Sequence, residues 1–391
     1  MKEGNIMCRI GDVFETCAGG TPLKSQKDYY EGGNIPWLRS GEVCKKYITE
    51  TERFITQKGM ENSSAKMYPM NTVVVAMYGA TAAQVGILKI ETTSNQAVCG
   101  ILPNPNFIPE YVYYWFVNIK KELASQAQGG AQPNISQIKI KNILIPRLNL
   151  DEQRRIVSYL DSSFKLIDEI KNKALKSLTE AKALFQSALA EAMEPKEGWE
   201  EKTLGDVGSF KRGGNFTKRD FIEDGFPCVH YGQIHMKFGH VTKQHLSCVP
   251  KGLVKKDRCA KKGDLIIAIT SEDDEGSCKC TAWMANYEVY VGGHTAIYTH
   301  NLDPIFMAYY FQSPFFQKEK LEYTHGFKVV EINPKDIAKI SIAYPPLPTQ
   351  KQIVSRLDKL SSKVRAIEEK YQKMVDECDA LKQAMLRDVF E

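Results

Sequence analysis

Apolar residues recur at helical spacing over two long stretches of the chain, one in its middle and one at its end. The second stretch contains Ile353, Leu357, Leu360, Val364, Ile367, Tyr371, Met374, Cys378, Leu381 and Met385. The first contains Ile156, Leu160, Ser163, Ile167, Ile170, Ala174, Ser177, Ala181, Leu184 and Ala188, each 197 positions earlier. Alternating steps of four and three residues are the heptad pattern of coiled coils. The pattern predicts two helices of about 40 residues and ~60 Å each, at 151–194 and 349–391.

The apolar members of these two stretches form the predicted interface between the helices. The interface residues are Ile156, Leu160, Ile167, Ile170, Leu184, Ile353, Leu357, Leu360, Val364, Ile367 and Leu381. Small residues in the first stretch favour close approach of the two helices. A helix of this length is too long to lie against one small domain, so we expect a spacer or an assembly strut. The alternative is a long helical hairpin inside one larger domain.

The two helices begin with similar sequences, "DEQRRIVSYLD" at 151–161 and "PTQKQIVSRLD" at 348–358. The similarity extends upstream, which distinguishes a true repeat from a chance match. "IGDVFETCAGG" at 10–20 pairs with "LGDVGSFKRGG" at 204–214, and "NTVVVAMYGAT" at 71–81 pairs with "GDLIIAITSED" at 263–273. Similar segments recur in the same order while the residues between them differ. The chain is therefore expected to be a tandem repeat.

Each copy combines strand and helix signals. Short apolar runs bounded by glycine predict strands, such as 73–77 and 265–270, and Pro109 and Pro304 each suit the first turn of a helix. Alternating residues at 138–145 and 337–344 predict a further strand before each long helix. The expected fold class is α/β (α+β), with similar domains at 1–150 and 195–348 and two long antiparallel coiled-coil helices. We expect pseudo-twofold symmetry between the copies.

Composition points to an ordinary globular protein. Of the 391 residues, 43% are hydrophobic and 25% are charged, and the net charge is +5. Binding to an acidic polymer would therefore depend on local basic stretches, of which 251–264 is the densest. The apolar run at 111–117 is too short to cross a bilayer, the first ten residues lack a signal-peptide core, and the ten cysteines suit a reducing compartment. The expected location is cytoplasmic, without membrane association.

Catalytic signatures are incomplete. "PNPNF" at 103–107 is similar to an Asn-Pro-Pro-aromatic methyltransferase motif, but its third position differs and no glycine-rich cofactor loop accompanies it. No phosphate-binding P-loop motif occurs. The histidines spaced by five from His230 to His245, with nearby cysteines, leave a zinc site as an alternative to structural histidines. Since the positions shared by the two copies are mostly glycine, proline and apolar, we expect no catalytic residues, cofactor or metal.

The sequence resembles the specificity subunits of type I restriction-modification enzymes. The resemblance is carried by "GGTP" at 19–22, "YYEGGNIPWLRSGEV" at 29–43, and the helix starts "IPRLNLDEQRRIV" and "YPPLPTQKQIV" within the two-copy layout. It implies two target-recognition domains, each reading one half of a bipartite sequence in double-stranded DNA. It also implies that the helices set the spacing and bind methyltransferase subunits, two in number, and that restriction-translocase subunits join this core. The second copy departs from the pattern with "GGNF" at 213–216, so its turn is expected to differ.

Candidate DNA-binding residues lie in the segments that differ between the copies. Arginine and lysine suit guanine, asparagine and glutamine suit adenine, and acidic residues suit cytosine. In the first copy the candidates are Thr21, Lys24, Arg39, Ser40, Lys45, Lys46, Tyr78, Thr81, Gln84, Asn95, Gln96 and Asn134. In the second they are Lys211, Arg212, Asn215, Lys218, Arg219, His230, Tyr231, Gln233, His235, Ser271 and Lys328. The acidic segment at 271–276 would repel phosphate, so we expect it to face away from DNA.

Other interpretations remain open. The chain could be the recognition subunit of a related methyltransferase-only system. It could also be the detached recognition half of a fused methyltransferase-restriction polypeptide, which differs only in its partner. A coiled-coil interaction or scaffold protein would explain the heptads but not the two similar domains. An enzyme with duplicated catalytic domains would need matching polar residues in the two copies.

Overall fold

The computed structural model describes residues 6–125, 134–326 and 329–391. The chain divides into two compact units. Unit 1 comprises Met1–Leu175 and Lys373–Glu391, and unit 2 comprises Lys176–Gln372. Each unit therefore contains one copy of the repeat and a part of both long helices.

Unit 1 contains ten strands and the first six helices in its described residues. The strands are β1 Met7–Arg9, β2 Thr16–Ala18, β3 Ile35–Leu38, β4 Tyr47–Ile48, β5 Phe54–Ile55, β6 Val73–Ala76, β7 Val85–Leu88, β8 Thr93–Ser94, β9 Val98–Ile101 and β10 Leu144–Pro146. The helices are α1 Ile10–Val13, α2 Gln57–Glu61, α3 Pro109–Asn118, α4 Lys120–Ser125, α5 Gln137–Asn142 and α6 Leu150–Met193, the last of which continues into unit 2. Short 3-10 helices occupy Lys27–Tyr29, Ser40–Glu42 and Gly79–Thr81.

A five-stranded sheet forms the centre of unit 1, in the order β2-β9-β6-β7-β4. Neighbouring strands within this sheet are antiparallel, except for the outer pair β4 and β7, which is parallel. A second sheet has the order β5-β3-β8, with β3 and β8 parallel, and β1 pairs with β10. The central strand β6 is buried on both faces, because α3 and the long helices cover one face of the sheet and the second sheet lies toward the other.

Unit 2 contains the remaining strands and helices. The strands are β11 Glu200–Thr203, β12 Gly208–Arg212, β13 Phe226–Val229, β14 Val241–Thr242, β15 Ser247–Val249, β16 Cys259–Ala260, β17 Leu265–Ala268, β18 Thr270–Ser271, β19 Cys280–Trp283, β20 Val289–Val291, β21 Thr295–His300, β22 Val330–Glu331 and β23 Ser341–Tyr344. The helices are α7 Leu204–Val207, α8 Tyr231–Met236, α9 Pro304–Tyr310, α10 Pro314–Glu319, α11 Pro334–Ile337 and α12 Leu347–Phe390, which continues into unit 1. Short 3-10 helices occupy Lys218–Asp220, Lys251–Leu253, Lys256–Arg258 and Lys320–Glu322.

The topology of unit 2 repeats that of unit 1. Its five-stranded sheet has the order β12-β21-β17-β19-β14, and again the outer pair β14 and β19 is parallel. A four-stranded sheet, β15-β13-β20-β16, contains the parallel pair β13 and β20, and β11 pairs with β23. The small pair β18 and β22 is formed in addition. The predicted mixed α/β repeat is therefore confirmed.

The strands predicted at 138–145 and 337–344 are shorter than expected, because each segment begins with a helix. Ser136 caps α5 by accepting a hydrogen bond from the amide of Lys139 through its side chain, and Asn333 caps α11 in the same way through the amide of Lys335. The strands β10 and β23 follow these helices. The caps Ser136 and Asn333 lie before the alternating segments, so the alternation alone does not reveal the helices that run into these segments.

Both long helices form, but their buried stripe differs from the predicted one. In α6 the stripe is Gln153, Val157, Leu160, Phe164, Ile167, Lys171, Ala174, Leu178, Ala181, Phe185, Ala188 and Ala192. In α12 it is Val354, Leu357, Ser361, Val364, Glu368, Tyr371, Val375, Cys378, Lys382, Met385 and Val389. Alternate predicted positions, such as Leu160 and Ile167, therefore belong to the buried stripe. Each predicted position between them, such as Ile170, lies one residue before the residue that belongs to it. Of the predicted interface, Leu160, Ile167, Leu357 and Val364 are buried, and Ile156, Ile353 and Leu360 are partly buried.

The other predicted interface residues are largely exposed, at 48% for Ile170, 59% for Leu184, 41% for Ile367 and 51% for Leu381. The residue after each of these takes its place in the stripe: Lys171, Phe185, Glu368 and Lys382. Three of these four are charged, so apolar spacing alone indicates the apolar residue before each of them instead.

Two ion pairs in unit 1 explain how lysines enter this stripe. Lys171 Nζ lies 2.6 Å from Asp379 Oδ1, and Lys382 Nζ lies 2.5 Å from Asp168 Oδ1. The lysine side chains are only 26% and 20% exposed, because their methylene groups pack in the stripe while the ammonium groups reach the facing carboxylates. Each helix offers an aspartate and a lysine three residues apart, so the pairs are reciprocal and fix an antiparallel register.

None of the helices in the described part of the chain has the length and apolarity that crossing a bilayer requires.

Candidate nucleic-acid interface

The glutamine shared by the two helix starts holds each long helix to its own unit. Gln153 is fully buried, and its Oε1 accepts a hydrogen bond of 2.8 Å from the amide of Ile108, just before α3. Gln350 is 1% exposed, and its Oε1 accepts a hydrogen bond of 2.9 Å from the amide of Asp303, just before α9. Each Nε2 donates to a backbone carbonyl at the start of its long helix. The repeated glutamine thus has a structural role.

The shared aspartate of the helix starts forms the centre of a polar cluster in unit 1. Asp161 Oδ1 accepts hydrogen bonds from the Tyr114 hydroxyl and from Lys46 Nζ. Burial and the hydrogen bond to Asp161 raise the pKa of Tyr114, so its hydroxyl stays protonated as a donor. The Lys46 ammonium also lies 4.5 Å from the centre of the Tyr114 ring. Lys46, predicted to bind DNA, thus has its charge paired with α6, and a contact with DNA stays a prediction.

The equivalent cluster in unit 2 contains histidine in place of lysine. The Tyr309 hydroxyl donates a hydrogen bond of 2.7 Å to Asp358 Oδ1, and His240 Nε2 lies 3.6 Å from the same oxygen. The His240 ring lies against that of Tyr309, with 4.5 Å between their centres. Burial lowers the pKa of His240, while Asp358 acts in the opposite direction. Both units therefore fix their sheet to the long helix through the same tyrosine and aspartate positions.

Backbone hydrogen bonds join five segments at one edge of unit 1: residues 19–20, 38–39, 77–78, 94–97 and 134–135. We call these segments the edge frame. The amide of Gly20 donates to the carbonyl of Ser94 at 2.8 Å, and that of Asn95 donates to Leu38 at 2.9 Å. The amide of Met77 donates to the carbonyl of Ala97 at 2.8 Å, and the amide of Ile135 donates to the carbonyl of Met77 at 2.9 Å.

The edge frame of unit 2 consists of residues 213–214, 229–230, 269–270, 291–294 and 331–332. Its amide donors at Gly214, Gly292, Ile269 and Ile332 bond to the carbonyls of Val291, Val229, His294 and Ile269, at 2.7, 2.9, 3.0 and 3.0 Å. These are the same four bonds at equivalent positions. The turn "GGNF" therefore keeps the backbone hydrogen bond of "GGTP", so the expected difference lies in side-chain contacts.

Glycine is required where these turns approach the frame. A Cβ atom on Gly19 would lie 2.2 Å from the carbonyl oxygen of Ser94, and one on Gly213 would lie 2.0 Å from the carbonyl oxygen of Gly292. In unit 1 the Trp37 indole also donates a hydrogen bond of 2.9 Å to the carbonyl of Gly20. Unit 2 has Cys228 at the position of Trp37, so a different side chain supports its turn.

The side chains on the two frames differ at every position where their chemistry could serve recognition. The pairs at equivalent positions are Thr21 and Asn215, Arg39 and His230, Tyr78 and Thr270, Gln96 and Gly293, Ala97 and His294, and Asn134 and Glu331. One backbone arrangement thus carries two different sets of hydrogen-bonding groups.

Most of the candidates in unit 1 lie at or beside the edge frame. Those on the frame or next to it are Thr21, Arg39, Ser40, Tyr78, Asn95, Gln96 and Asn134. Thr81 and Gln84 lie in the following loop, where Gln84 Oε1 accepts a hydrogen bond of 2.8 Å from Lys120. Lys24 is exposed just after the glycine turn, and Lys45 is exposed at the start of the outer strand β4. Asn95 Oδ1 is buried without a hydrogen-bond partner among the described residues.

The candidates in unit 2 divide into exposed and internal groups. Arg212, Asn215, Lys211, Lys218 and Arg219 are exposed near the glycine turn, and Tyr231, His235 and Ser271 are partly buried close to the edge frame. Lys328 lies outside the described residues.

Two residues of unit 2 that were predicted to bind DNA also make hydrogen bonds within the fold. Gln233 accepts a hydrogen bond from the amide of His230 and donates one of 2.9 Å to Ser247, so its amide group is occupied. His230 is only 7% exposed, and its Nδ1 accepts a hydrogen bond from the amide of Gly232 at the start of α8. Burial, followed by the charges of Lys218 and His294, lowers the pKa of His230. Contacts of these two residues with DNA stay predictions.

The acidic segment at 271–276 is held by a lysine that sequence reasoning missed. Lys320 is 1% exposed, and its Nζ donates hydrogen bonds of 2.7 Å to the carbonyls of Asp274 and Ser277. Burial lowers the pKa of Lys320, although the carboxylates of the segment oppose this effect. Asp273 and Glu275 line a cleft that also contains Gln312 of unit 2. Nothing in the residues around position 320 distinguishes this lysine from a surface residue.

In the described part of the chain, no three histidine, cysteine or acidic side chains form a group that could hold a metal ion.

Comparison with known proteins agrees with this architecture. The family model for the type I restriction modification DNA specificity domain matches residues 2–180 and again residues 196–375. The chain is 27% identical over 175 residues to the specificity subunit of the type I restriction enzyme EcoR124I/EcoR124II from Escherichia coli, covering 43% of each chain. It is 29% identical over 235 residues to the MjaIX specificity subunit from Methanocaldococcus jannaschii, covering 54% of this chain and 53% of the other.

The matches to these two relatives span about half of their length or less. A longer match, at 24% identity over 378 residues, covers 90% of this chain and 85% of the MjaVIII specificity subunit from the same archaeon.

Two solved structures share the fold over the whole chain. One comes from a structure of the assembly and conformational transition of the type I R-M system, with a TM-score of 0.77, 20% identity and coverage of 100% of this chain and 98% of the other. The other is the HsdS subunit from Thermoanaerobacter tengcongensis, with a TM-score of 0.53, 20% identity and coverage of 100% and 97%. Because the family model matches most of the chain in two copies, the chain belongs to the family of type I restriction-modification DNA specificity proteins.

Proposed function

We propose that this chain recognises a bipartite sequence in double-stranded DNA, with each unit contacting one half of it. The observation that carries the proposal is the pair of edge frames, in which the same backbone hydrogen bonds support different side chains. Base edges are distinguished by their patterns of hydrogen-bond donors and acceptors, so a change of side chains on a constant frame changes the sequence that is read. A duplicated catalytic site would instead keep its polar residues.

The proposed contacts fall into two groups. Side chains of the edge frames and the loops beside them contact bases, while exposed lysines and arginines near the glycine turns contact phosphates and position the units. The phosphate group comprises Lys24, Lys45, Lys211, Arg212, Lys218 and Arg219. This division gives the protein affinity for any DNA sequence in addition to its preference for one.

The long helices are proposed to set the distance between the half-sites and to bind methyltransferase subunits. We assign residues 1–150 and 195–348 to recognition, and 151–194 and 349–391 to the helical spacer. On α6 of unit 1, Tyr159, Leu166 and Ile170 are 48%, 60% and 48% exposed and follow helical spacing, which supports docking of a protein there. Two methyltransferase subunits, and restriction-translocase subunits through them, are the proposed partners.

Coexpression with the methyltransferase subunits tests this function. Methylome sequencing should then reveal one methylated motif with two specified halves separated by unspecified bases. The purified chain alone should show no turnover of S-adenosylmethionine, because recognition and catalysis reside in different subunits. A motif without two separate halves, or methyl transfer by the chain alone, would contradict the proposal.

A further inference from the structure

We propose that Arg39 determines one base of the half-site that unit 1 reads, and that this base is guanine. The proposal rests on the DNA-recognition function proposed above and assigns a single side chain to a single base.

Two carboxylates fix the direction of the Arg39 guanidinium group. Its Nε lies 3.4 Å from Glu42 Oε1, and its Nη2 contacts Glu52 Oε2. Glu42 is itself held in place, because its two oxygens accept hydrogen bonds from the amides of Arg39 at 3.0 Å and Glu52 at 2.8 Å. The Glu42 side chain is 11% exposed, whereas that of Arg39 is 36% exposed. The Glu52 side chain is 68% exposed, so Glu42 is the largely buried carboxylate that orients this accessible cation.

The remaining donors of Arg39 match the acceptors of guanine. The ion pairs occupy Nε–H and one hydrogen of Nη2, and leave the other Nη2 hydrogen and both Nη1 hydrogens. One hydrogen from each terminal nitrogen can reach O6 and N7 of guanine, the paired acceptors that arginine recognises in the major groove. A phosphate contact needs only a positive charge, whereas a bidentate contact to a base needs the planar group in one orientation. The support of Arg39 is therefore better suited to reading a base.

The position of Arg39 places it among the proposed readers. Leu38, the preceding residue, accepts the hydrogen bond from Asn95 that joins two segments of the edge frame. The equivalent residue in unit 2 is His230, which is 7% exposed. An accessible, oriented cation is thus present at this frame position in unit 1 and absent at the same described position in unit 2. The two half-sites should differ in how they are read there.

Four variants in complex with the methyltransferase subunits test the proposal. Arg39→Ala removes the donors, Arg39→Lys keeps the charge but not the planar group, and Glu42→Gln weakens the support. Lys24→Ala is the matched control, because Lys24 is an exposed cation of the same unit. Methylome sequencing gives the base preference at each motif position, and salt-titrated binding to the wild-type motif gives the affinity. Thermal unfolding of each variant shows that it is folded.

Arg39→Ala should lower the preference for guanine at one position of one half-site by roughly 5- to 150-fold, the range for a bidentate base contact. The other half-site should be unchanged, which provides an internal control for folding and assembly. Arg39→Lys and Glu42→Gln should relax the same position to a smaller extent. Lys24→Ala should weaken binding to all sequences alike and make its salt dependence shallower.

Three results would overturn the assignment. One is a wild-type motif without guanine in the half-site that changes when unit 1 is exchanged. The second is an unchanged motif in the folded Arg39 variants with uniformly weaker binding, which identifies a phosphate contact. The third is relaxation in both half-sites. A wild-type complex that methylates no bipartite sequence would instead refute the underlying function.

Discussion

At the scale of single residues, the aspartate that closes each repeated helix start connects a sheet to a long helix. Asp161 and Asp358 each accept a hydrogen bond from a tyrosine of the helix that covers their sheet. The other partner differs, since it is the Lys46 ammonium in unit 1 and the His240 ring in unit 2. The sequence shows that these aspartates recur but not what they contact, because their partners lie far away in the chain.

Replacement of this aspartate should destabilise unit 1. Asp161→Asn leaves the ammonium group of Lys46, whose side chain is 21% exposed, without its counter-charge. We expect a loss of about 1–3 kcal/mol in the free energy of unfolding, the usual cost of losing hydrogen bonds that involve a charged group. Asp151→Asn on the same helix is the control, because Asp151 is 82% exposed in its ion pair with Arg154. Chemical denaturation should show a much smaller effect there; equal effects would contradict this role of Asp161.

Acid should destabilise unit 2 through His300. Burial lowers the pKa of His300 from 6.5 to about 4, against smaller opposing effects of the Leu302 backbone and the Asp303 charge. The folded state therefore favours the neutral ring, while the unfolded state takes up a proton as the pH falls below 6.5. Stability present above pH 6.5 should be lost between pH 6.5 and about 4, by up to ~3 kcal/mol.

His300→Phe keeps an aromatic ring beside Tyr298 but removes the titration. Unfolding free energies measured from pH 7 to 4 should fall less steeply for this variant than for the wild type. Parallel pH profiles for the two proteins would show that His300 does not contribute.

At the scale of elements, the two long helices show what apolar spacing can and cannot predict. Their existence and heptad repeat were predictable, because ten positions in each helix keep the same spacing. The register of alternate positions was wrong, because Lys171 and Lys382 enter the stripe through ion pairs with Asp379 and Asp168. Such pairs join residues that are distant in sequence, so local periodicity cannot reveal them.

Two leucines of α12 provide a matched test of this register. Leu357 is fully buried and Leu381 is 51% exposed, although the apolar spacing placed both at the interface. Leu357→Ala should cost about 2–5 kcal/mol of unfolding free energy, the range for a buried leucine. Leu381→Ala should change it by no more than about 0.5 kcal/mol. Denaturation of the isolated chain measures both, and a comparable loss in the Leu381 variant would favour the register from apolar spacing.

The sequence predicted which residues lie at the candidate site better than it predicted how they are arranged there. The glycine turns and the segments that differ between copies indicated the candidate recognition residues, and of these Arg39, Gln96 and Asn134 are at the edge frame. The hydrogen bonds that Lys46 and Gln233 make within the fold were not predictable, because their partners lie in other segments of the chain. The four hydrogen bonds of each edge frame join backbone atoms, so apart from the glycines no residue type in the sequence indicates them.

At the scale of the whole molecule, the chain contains the same mixed α/β arrangement twice, each built around a five-stranded sheet of the same order. Because the frame is duplicated, the side chains at the edges of the two copies can differ while both cores keep the same packing arrangement. If recognition resides in the edges, one copy can be exchanged without altering what the other reads. Independence of the two units in sequence recognition is the central claim.

Exchange of residues 1–150 for the equivalent segment of a family member with a known bipartite target tests this claim most directly. The chimera is coexpressed with the methyltransferase subunits, and its methylated motif is determined by methylome sequencing beside that of the wild type. We predict that one half of the motif changes to that of the donor protein while the other half is retained. An active chimera in which both halves change together, or neither changes, would contradict independent recognition by the two units.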